Sequence, residues 1–191
     1  KLQGLIVDSC TIFNQGALTR PTQARRRNIL AGAETSNLTN DSANATRVDG
    51  LFITNNVLYR DTTDNISKLY WPYDDYRENT ELGYQDELLS DKFLSIRKNH
   101  LYGDPLPLKM HNWDSGVFKQ NFIYSYRANT TGNRDVIELA NGTLPFLNWD
   151  SNRYHINQPT YSTPFSGRSF SSWKADFKID SNSSFVNGPP T

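Results

Sequence analysis

The sequence predicts an all-β or β-dominant domain, and two observations favour that class. Aromatic residues make up 13% of the chain, with ten Tyr, ten Phe and four Trp, while the apolar fraction is only 36%. Large rings bury much surface and are enriched in strands. Short apolar segments also alternate with polar stretches that contain turn-forming residues. We therefore expect sandwich-like antiparallel sheets, with one short helix and a detached N-terminal strand.

The order of segments along the chain suggests three parts. Residues 1–15 contain an apolar strand-like arm, and residues 16–50 form a polar linker or loop without periodicity. A connection of that length is unusual inside a compact domain. Residues 51–191 then form a single β-rich domain. Within it, helical spacing of apolar residues predicts one helix near 84–98.

The N-terminal arm suggests a role in assembly. Such an arm can add a strand to the exposed sheet edge of a neighbouring subunit. We therefore expect a structural subunit of an extracellular filament, surface layer or virion surface, which self-associates by strand exchange. The alternative is that the arm pairs within its own domain. Its apolar residues are Leu2, Leu5, Ile6, Val7, Ile12 and Phe13.

Glycosylation sequons favour a secreted or surface-exposed protein. The chain opens at Lys1 without Met, as expected for a trimmed precursor or an excerpt whose signal peptide is gone. Asn-x-Ser/Thr occurs about twice as often as composition alone gives. The alternative is an Asn- and Thr-rich loop composition without glycan. The sequons begin at Asn37, Asn40, Asn44, Asn65, Asn129, Asn141 and Asn182.

A short motif built on tryptophan suggests an internal repeat. Trp71, Trp113 and Trp149 each begin the pattern W-x4-[YF]-basic-x-N. Repeats of about 20–50 residues are typical of stacked or radial β-units. The predicted unit is a hairpin followed by a Trp-bearing strand. The alternative is that Asn- and aromatic-rich strands resemble one another by composition.

Two of these tryptophans also suggest a carbohydrate-binding or adhesive module, which is the alternative function. Exposed rings stack on sugars, and neighbouring Asp and Asn side chains hydrogen-bond to hydroxyl groups. The candidate platform is Trp113 with Asp114 and Trp149 with Asp150. The competing interpretation is that both tryptophans are buried core residues.

Catalysis is the least favoured function, and we expect no catalytic residue, metal or cofactor. The three histidines lack metal-ligand spacing, and no nucleophile or phosphate-binding motif is present. The pairs Asp74-Asp75 and Asp86-Glu87 suit a solvated turn or helix start. Residues 180–188 loosely resemble a calcium loop but lack its closing acidic residue. A hydrolase with a cryptic site ranks last.

Charge and cysteine content exclude further classes. Twenty basic residues balance twenty acidic residues, so no global field favours nucleic acid or an anionic membrane. No stretch approaches the about 18 apolar residues of a transmembrane helix. The cluster Arg25, Arg26 and Arg27 is a processing site, a contact for an anionic surface or glycan, or a solvated loop. Cys10 is the single cysteine, which excludes an intrachain disulfide and favours a buried or inert thiol.

Overall fold

The computed structural model describes residues 4–13, 29–31, 50–59, 78–82, 91–103, 106–110, 113–125, 135–139, 144, 146–157 and 161–188. These ranges contain fifteen strands and one α-helix. The strands are β1 (Leu5–Asp8), β2 (Thr11–Phe13), β3 (Ile29–Ala31), β4 (Leu51–Thr54), β5 (Val57–Tyr59), β6 (Glu78–Leu82), β7 (Asp91–Arg97), β8 (His100–Gly103), β9 (Leu106–Met110), β10 (Trp113–Lys119), β11 (Phe122–Ser125), β12 (Ile137–Leu139), β13 (Trp149–Asp150), β14 (Arg153–Ile156) and β15 (Ser184–Asn187), and the helix is α1 (Phe170–Phe177).

The strands form three parallel sheets that the chain visits in rotation. Sheet 1 has the order β1-β4-β7-β10-β13, sheet 2 the order β2-β5-β8-β11-β14-β15, and sheet 3 the order β3-β6-β9-β12. Up to β14, each third strand returns to the same sheet, one position further along, and β15 then follows α1 and extends sheet 2 beside β14. This is the topology of a parallel β-solenoid, in which each turn contributes one strand to each sheet.

The expectation of an antiparallel sandwich is wrong. Every pairing between these strands is parallel. Alternating apolar and polar residues indicate a strand, but they do not give its direction relative to its neighbour. The class of β-dominant protein with one helix is retained.

The helix predicted near 84–98 is also misplaced. Residues 91–97 form β7, which lies between β4 and β10 in the centre of sheet 1. The helix lies instead at Phe170–Phe177, where the Ser169 side chain accepts a hydrogen bond from Ser172 N (3.1 Å) at its start. Trp173 is fully buried and packs edge-on against Trp149, at 5.6 Å between ring centroids. Tertiary packing of this ring therefore outweighs the weak helical signal of a Ser-rich segment.

The N-terminal strand is not detached. Strand β1 pairs with β4, and β2 pairs with β5, so both belong to the first turn of the solenoid. Val7 and Ile12 are partly buried against the core. Residues 29–31, inside the segment expected to be a linker, form β3 and pair with β6.

The interior consists of apolar side chains stacked turn upon turn. Parallel, in-register pairing places equivalent residues directly above one another. One column of sheet 1 contains Val7, Ile53, Ile96, Phe118 and Trp149. One column of sheet 2 contains Ile12, Leu58, Leu101, Ile123, Tyr154 and Phe185.

A buried asparagine ladder forms the corner between sheets 1 and 2. Four turns place an asparagine here, at positions 56, 99, 121 and 152, and all four are buried. The residue before each has a left-handed φ between 55° and 59°. Asn99 shows the pattern. Its Oδ1 accepts from Asn56 N and Nδ2, each at 3.0 Å, and its Nδ2 donates to Ile53 O (2.8 Å) and Asn121 Oδ1 (3.1 Å).

The ladder continues into a buried carboxylate towards the C-terminus. Asn152 donates its side-chain N–H to Asp180 (3.0 Å) and its backbone N–H to Ser183 (2.8 Å). The same carboxylate accepts from Tyr154 (2.8 Å) and Trp173 Nε1 (2.9 Å). Most buried polar groups in proteins are hydrogen-bonded, and Asp180 pairs with donors from both the ladder and α1 and so connects the two.

Removing one step of the ladder will destabilise the fold. We expect Asn99→Ala to lower the free energy of unfolding by at least about 3 kcal/mol, because it orphans several buried polar groups. Urea denaturation followed by circular dichroism measures this change. Asn182→Ala, at an exposed site, is the control and should cost about 1 kcal/mol or less. Equal losses for both variants would show that the ladder adds no special stability.

A second buried carboxyl group ties residues 161–168 to the start of β12. Asp135 is buried and accepts a hydrogen bond from Tyr161 OH (2.7 Å) and backbone bonds from Ser166 and Gly167. Burial raises the pKa of Asp135 from 3.8 to about 6, against the lowering effect of these bonds. The folded state therefore binds this proton more tightly than the unfolded chain does.

This proton makes stability depend on pH. As pH rises from about 4 through about 6, the wild type loses the stability contributed by the Asp135 proton, up to about 3 kcal/mol. Asp135→Asn cannot titrate. We therefore expect the stability of the variant relative to the wild type to increase over this pH range and to keep its higher value at pH 7. Denaturation at several pH values measures the difference. A constant difference across the range would contradict this expectation.

Candidate functional site

The outward side of sheet 2 carries a run of aromatic residues. Leu101, Ile123 and Tyr154 point into the core, so their neighbours in each strand point outward. In parallel register these outward residues form two columns. One column contains His100, Phe122 and Arg153, and the other contains Tyr102, Tyr124 and His155.

The rings of these residues lie close together and form an aromatic face, which we define as His100, Tyr102, Phe122, Tyr124 and His155. Phe122 is central, with ring centroids 5.6 Å from His100, 5.7 Å from Tyr102 and 5.0 Å from His155. Tyr124 meets Tyr102 and His155 edge-on at 6.3 and 6.4 Å. These spacings are typical of favourable ring pairs. The face is thus held by neighbouring rings as well as by the sheet.

A groove of about 370 Å³ opens at one side of the aromatic face, next to the asparagine corner. This volume falls in the range of small-ligand sites. The lining combines ring surfaces with amides, a hydroxyl group and a guanidinium group. The lining residues are His100, Tyr102, Gln120, Asn121, Phe122, Ser151 and Arg153.

Positive charge borders this groove. The Arg153 guanidinium carbon lies 5.7 Å from the centre of the Phe122 ring, within cation–π range. Arg97, Lys98 and Lys119 lie beside the corner in neighbouring turns. Asp150 on β13 is the cross-strand neighbour of Lys119 on β10. Its pKa is lowered mainly by the side-chain hydrogen bond from Asn182.

The protonation states of the face follow from burial. Partial burial raises the pKa of Tyr102 and Tyr124, so both phenols keep their protons at neutral pH. Burial lowers the pKa of His155, and the nearby Arg153 charge lowers it further. Burial therefore favours the neutral form of His155, and the Arg153 guanidinium group brings positive charge to the groove.

The proposed tryptophan platform requires correction. Trp113 and Trp149 are each only 2% exposed, because both fill the interior of sheet 1, and neither can present a ring face to a sugar. Asp114 instead forms an ion pair with Lys92 (2.8 Å). Asp150 accepts from Asn182 N and Nδ2 at 2.8 and 2.7 Å.

The two tryptophan motifs do not occupy equivalent positions. Trp113 lies opposite Asp91, whereas Trp149 lies opposite Phe118. The chain does repeat structurally, but its register aligns Asn121 with Asn152 rather than with Asn157. Trp71 lies outside the described residues.

Other predicted positions are distributed as follows. Among the arm residues, Leu5 and Ile6 are 37% and 66% exposed on β1, while Leu2 lies outside the described residues. Strand β2 includes Phe13. Cys10 is free and exposed, so it is not buried as expected. The carboxylate of Asp180 in the calcium-like segment is buried and already bound by side-chain donors.

Of the sequons, only Asn182 lies in the described part of the chain, in an exposed turn. The remaining predicted positions lie outside it: Asn37, Asn40, Asn44, Asn65, Asn129, Asn141, Arg25, Arg26, Arg27, Asp74, Asp75, Asp86 and Glu87.

The sequence contains a signal for this site that the tryptophan motif concealed. Asn-x-[Leu/Ile]-Tyr occurs at residues 56–59, 99–102 and 121–124. In each copy the asparagine occupies the ladder and the aliphatic residue faces the core, and in the second and third copies Tyr102 and Tyr124 occupy outward positions. The variant Asn-Arg-Tyr-His at 152–155 continues the same columns.

Comparisons with known protein families, curated proteins and solved structures found no match for this chain. In the described ranges, no group of three or more His, Cys, Asp or Glu side chains is arranged to hold a metal ion. None of the helical residues that the structure describes forms a helix long and apolar enough to cross a membrane. The fold and the site thus define a parallel β-solenoid with an outward aromatic groove.

Proposed function

We propose that this chain is a carbohydrate-binding, adhesive module of a secreted or surface-exposed structural protein, and that the groove binds the sugar. The observation that carries this proposal is the aromatic face, whose rings border a groove lined by hydrogen-bonding side chains. The surplus of sequons supports an extracellular location.

The chemistry of the groove suits a sugar. A pyranose ring has faces of C–H groups, which pack on aromatic rings, and an edge of hydroxyl groups, which need donors and acceptors. Tyr102 and Phe122 supply the rings, while Gln120 and Ser151 supply amide and hydroxyl groups. A few fixed polar groups in an otherwise apolar site are typical of ligand recognition.

The site is better suited to binding than to hydrolysis. Most glycosidases need two carboxyl groups on either side of the scissile bond. The seven lining residues contribute rings, amides, a hydroxyl group and a guanidinium group, and none contributes a carboxylate. A rigid, preorganised surface lowers the entropic cost of binding. The ladder beneath the groove supplies that rigidity, since lining residue Asn121 is itself one of its steps.

A glycan array tests the proposal. We expect the wild type to bind a subset of oligosaccharides and Phe122→Ala to bind them about tenfold more weakly, because the central ring is lost. Phe52→Ala is the matched control, since Phe52 is a partly exposed phenylalanine on sheet 1. Binding that survives Phe122→Ala, or falls equally in the control, would reject this groove as the sugar site.

Self-assembly through the first turn is a second candidate function. Strands β1 and β2 are the outermost strands of sheets 1 and 2. Among the described residues, no strand pairs with the outer edge of β1. Leu5 and Ile6 are exposed there. Apolar edge strands of this kind favour pairing with a second copy, whereas lysine on an edge opposes it. The arm residues would then act from within their own sheet rather than as a free strand.

Light scattering and negative-stain imaging test this candidate. We expect concentrated wild-type protein to form oligomers or filaments, and Ile6→Lys to shift it towards monomer. Phe52→Lys, at an exposed apolar position on the inner strand β4, is the control. A wild type that stays monomeric at high concentration would contradict self-assembly.

A further inference from the structure

We infer that the groove selects carboxylated glycans and that Arg153 recognises the carboxylate. This inference rests on the carbohydrate-binding role proposed above and adds the chemical class of the sugar. Its basis is the placement of one exposed guanidinium group beside a ring surface, inside a groove bordered by further cations.

Arg153 is held where a ligand can reach it. Its backbone N–H donates to Asn121 O (2.8 Å), which anchors the start of β14 to the ladder corner. Its side chain is exposed, lines the groove and lies over the Phe122 ring. Among the residues that the structure describes, no carboxylate forms an ion pair with it. A guanidinium group in this position has its donors available for an incoming anion.

Three more cations strengthen the local positive field. Arg97 and Lys119 are paired positions at the end of sheet 1, and Lys98 begins the corner after β7. Lys98, Gln120 and Ser151 occupy the same corner position in successive turns, and turns are about 4.8 Å apart. Lys98 is therefore within about 10 Å of both groove-lining corner residues, about one screening length at physiological salt.

The acidic groups that face this region do not cancel the field. Asp150 is the nearest, and it stays negatively charged because hydrogen bonds from Asn182 and the charge of Lys119 lower its pKa, so it offsets the charge of Lys119 but not those of Arg97, Lys98 and Arg153. Asp8 lies in the first turn, at the far end of the same column, and accepts from Asn55 (3.1 Å). In the third and fourth turns, the residues that continue this column of sheet 1 are Arg97 and Lys119. The side of the groove is therefore net positive although the whole chain is neutral.

A carboxylated sugar fits this combination within one residue. Its ring face packs on Phe122 and Tyr102, and its carboxylate accepts two parallel N–H bonds from the planar guanidinium group of Arg153. His100, at the same end of the groove, offers a further ring nitrogen. A neutral sugar offers no anionic partner to the exposed arginine, so it lacks the charge-assisted hydrogen bonds that give the selectivity.

An array of acidic oligosaccharides, each printed beside its carboxyl-reduced counterpart, tests the inference. Sulfated oligosaccharides form a separate arm. We expect the wild type to bind carboxylated members at least about tenfold more tightly than their reduced counterparts, with affinity falling as salt rises. Arg153→Gln should remove about tenfold of this preference, and Arg153→Lys should keep part of it, because the charge remains but the planar fork is lost. Arg168→Gln is the matched control, since Arg168 pairs with Asp176 near α1.

The possible results separate this inference from the broader proposal. Equal binding of carboxylated and reduced members, unchanged in Arg153→Gln, would overturn the acid selectivity and leave carbohydrate binding in place. Binding of sulfated members alone would overturn the carboxylate assignment. Binding of no member at all would overturn both.

Discussion

The asparagine ladder is the interaction on which the rest of this structure depends. Each corner from sheet 1 to sheet 2 needs a residue with left-handed φ, which is unfavourable for most side chains, and exposes main-chain groups that the strands cannot pair. The asparagine that follows this residue can pair the exposed main-chain groups, because its side chain carries both a donor and an acceptor. By bonding to the turns on either side, each ladder residue fixes the corner and the separation between turns. Asp180 then closes the series by accepting hydrogen bonds from Asn152, Tyr154 and Trp173.

The register that the ladder fixes also produces the candidate site. Once the asparagines are aligned, the residue after each one faces outward, the next faces the core and the third faces outward again. The same asparagines that satisfy buried main-chain groups therefore align His100 with Phe122 and Tyr102 with Tyr124. The site is a consequence of the fold-defining repeat rather than an addition to it. This relation explains how the chain holds Tyr102, Phe122 and Tyr124 half-buried on the outward side of a packed interior.

The sequence predicted a β-dominant structure with one helix, but not the topology. The segment around β7 looked helical because Phe93 and Ile96 are three residues apart, a spacing that a buried central strand can also contain. The tryptophan motif predicted the wrong repeat, because its tryptophans do not lie above one another. Trp149 stacks on Phe118 rather than on Trp113. The Asn-x-[Leu/Ile]-Tyr copies were present, yet their irregular spacing hid the period, since the connections between turns differ in length. The groove could not be foreseen, because Arg153 and His100 come together only through the stacking of turns.

The most direct test of this account is an aromatic NMR titration of the intact chain with an acidic oligosaccharide. We predict that the ring signals of the groove-lining residues His100, Tyr102 and Phe122 shift together, while those of the core rings Phe118 and Tyr154 do not. Saturable binding that leaves the outward rings unperturbed, and instead moves signals elsewhere such as Phe52, would contradict it.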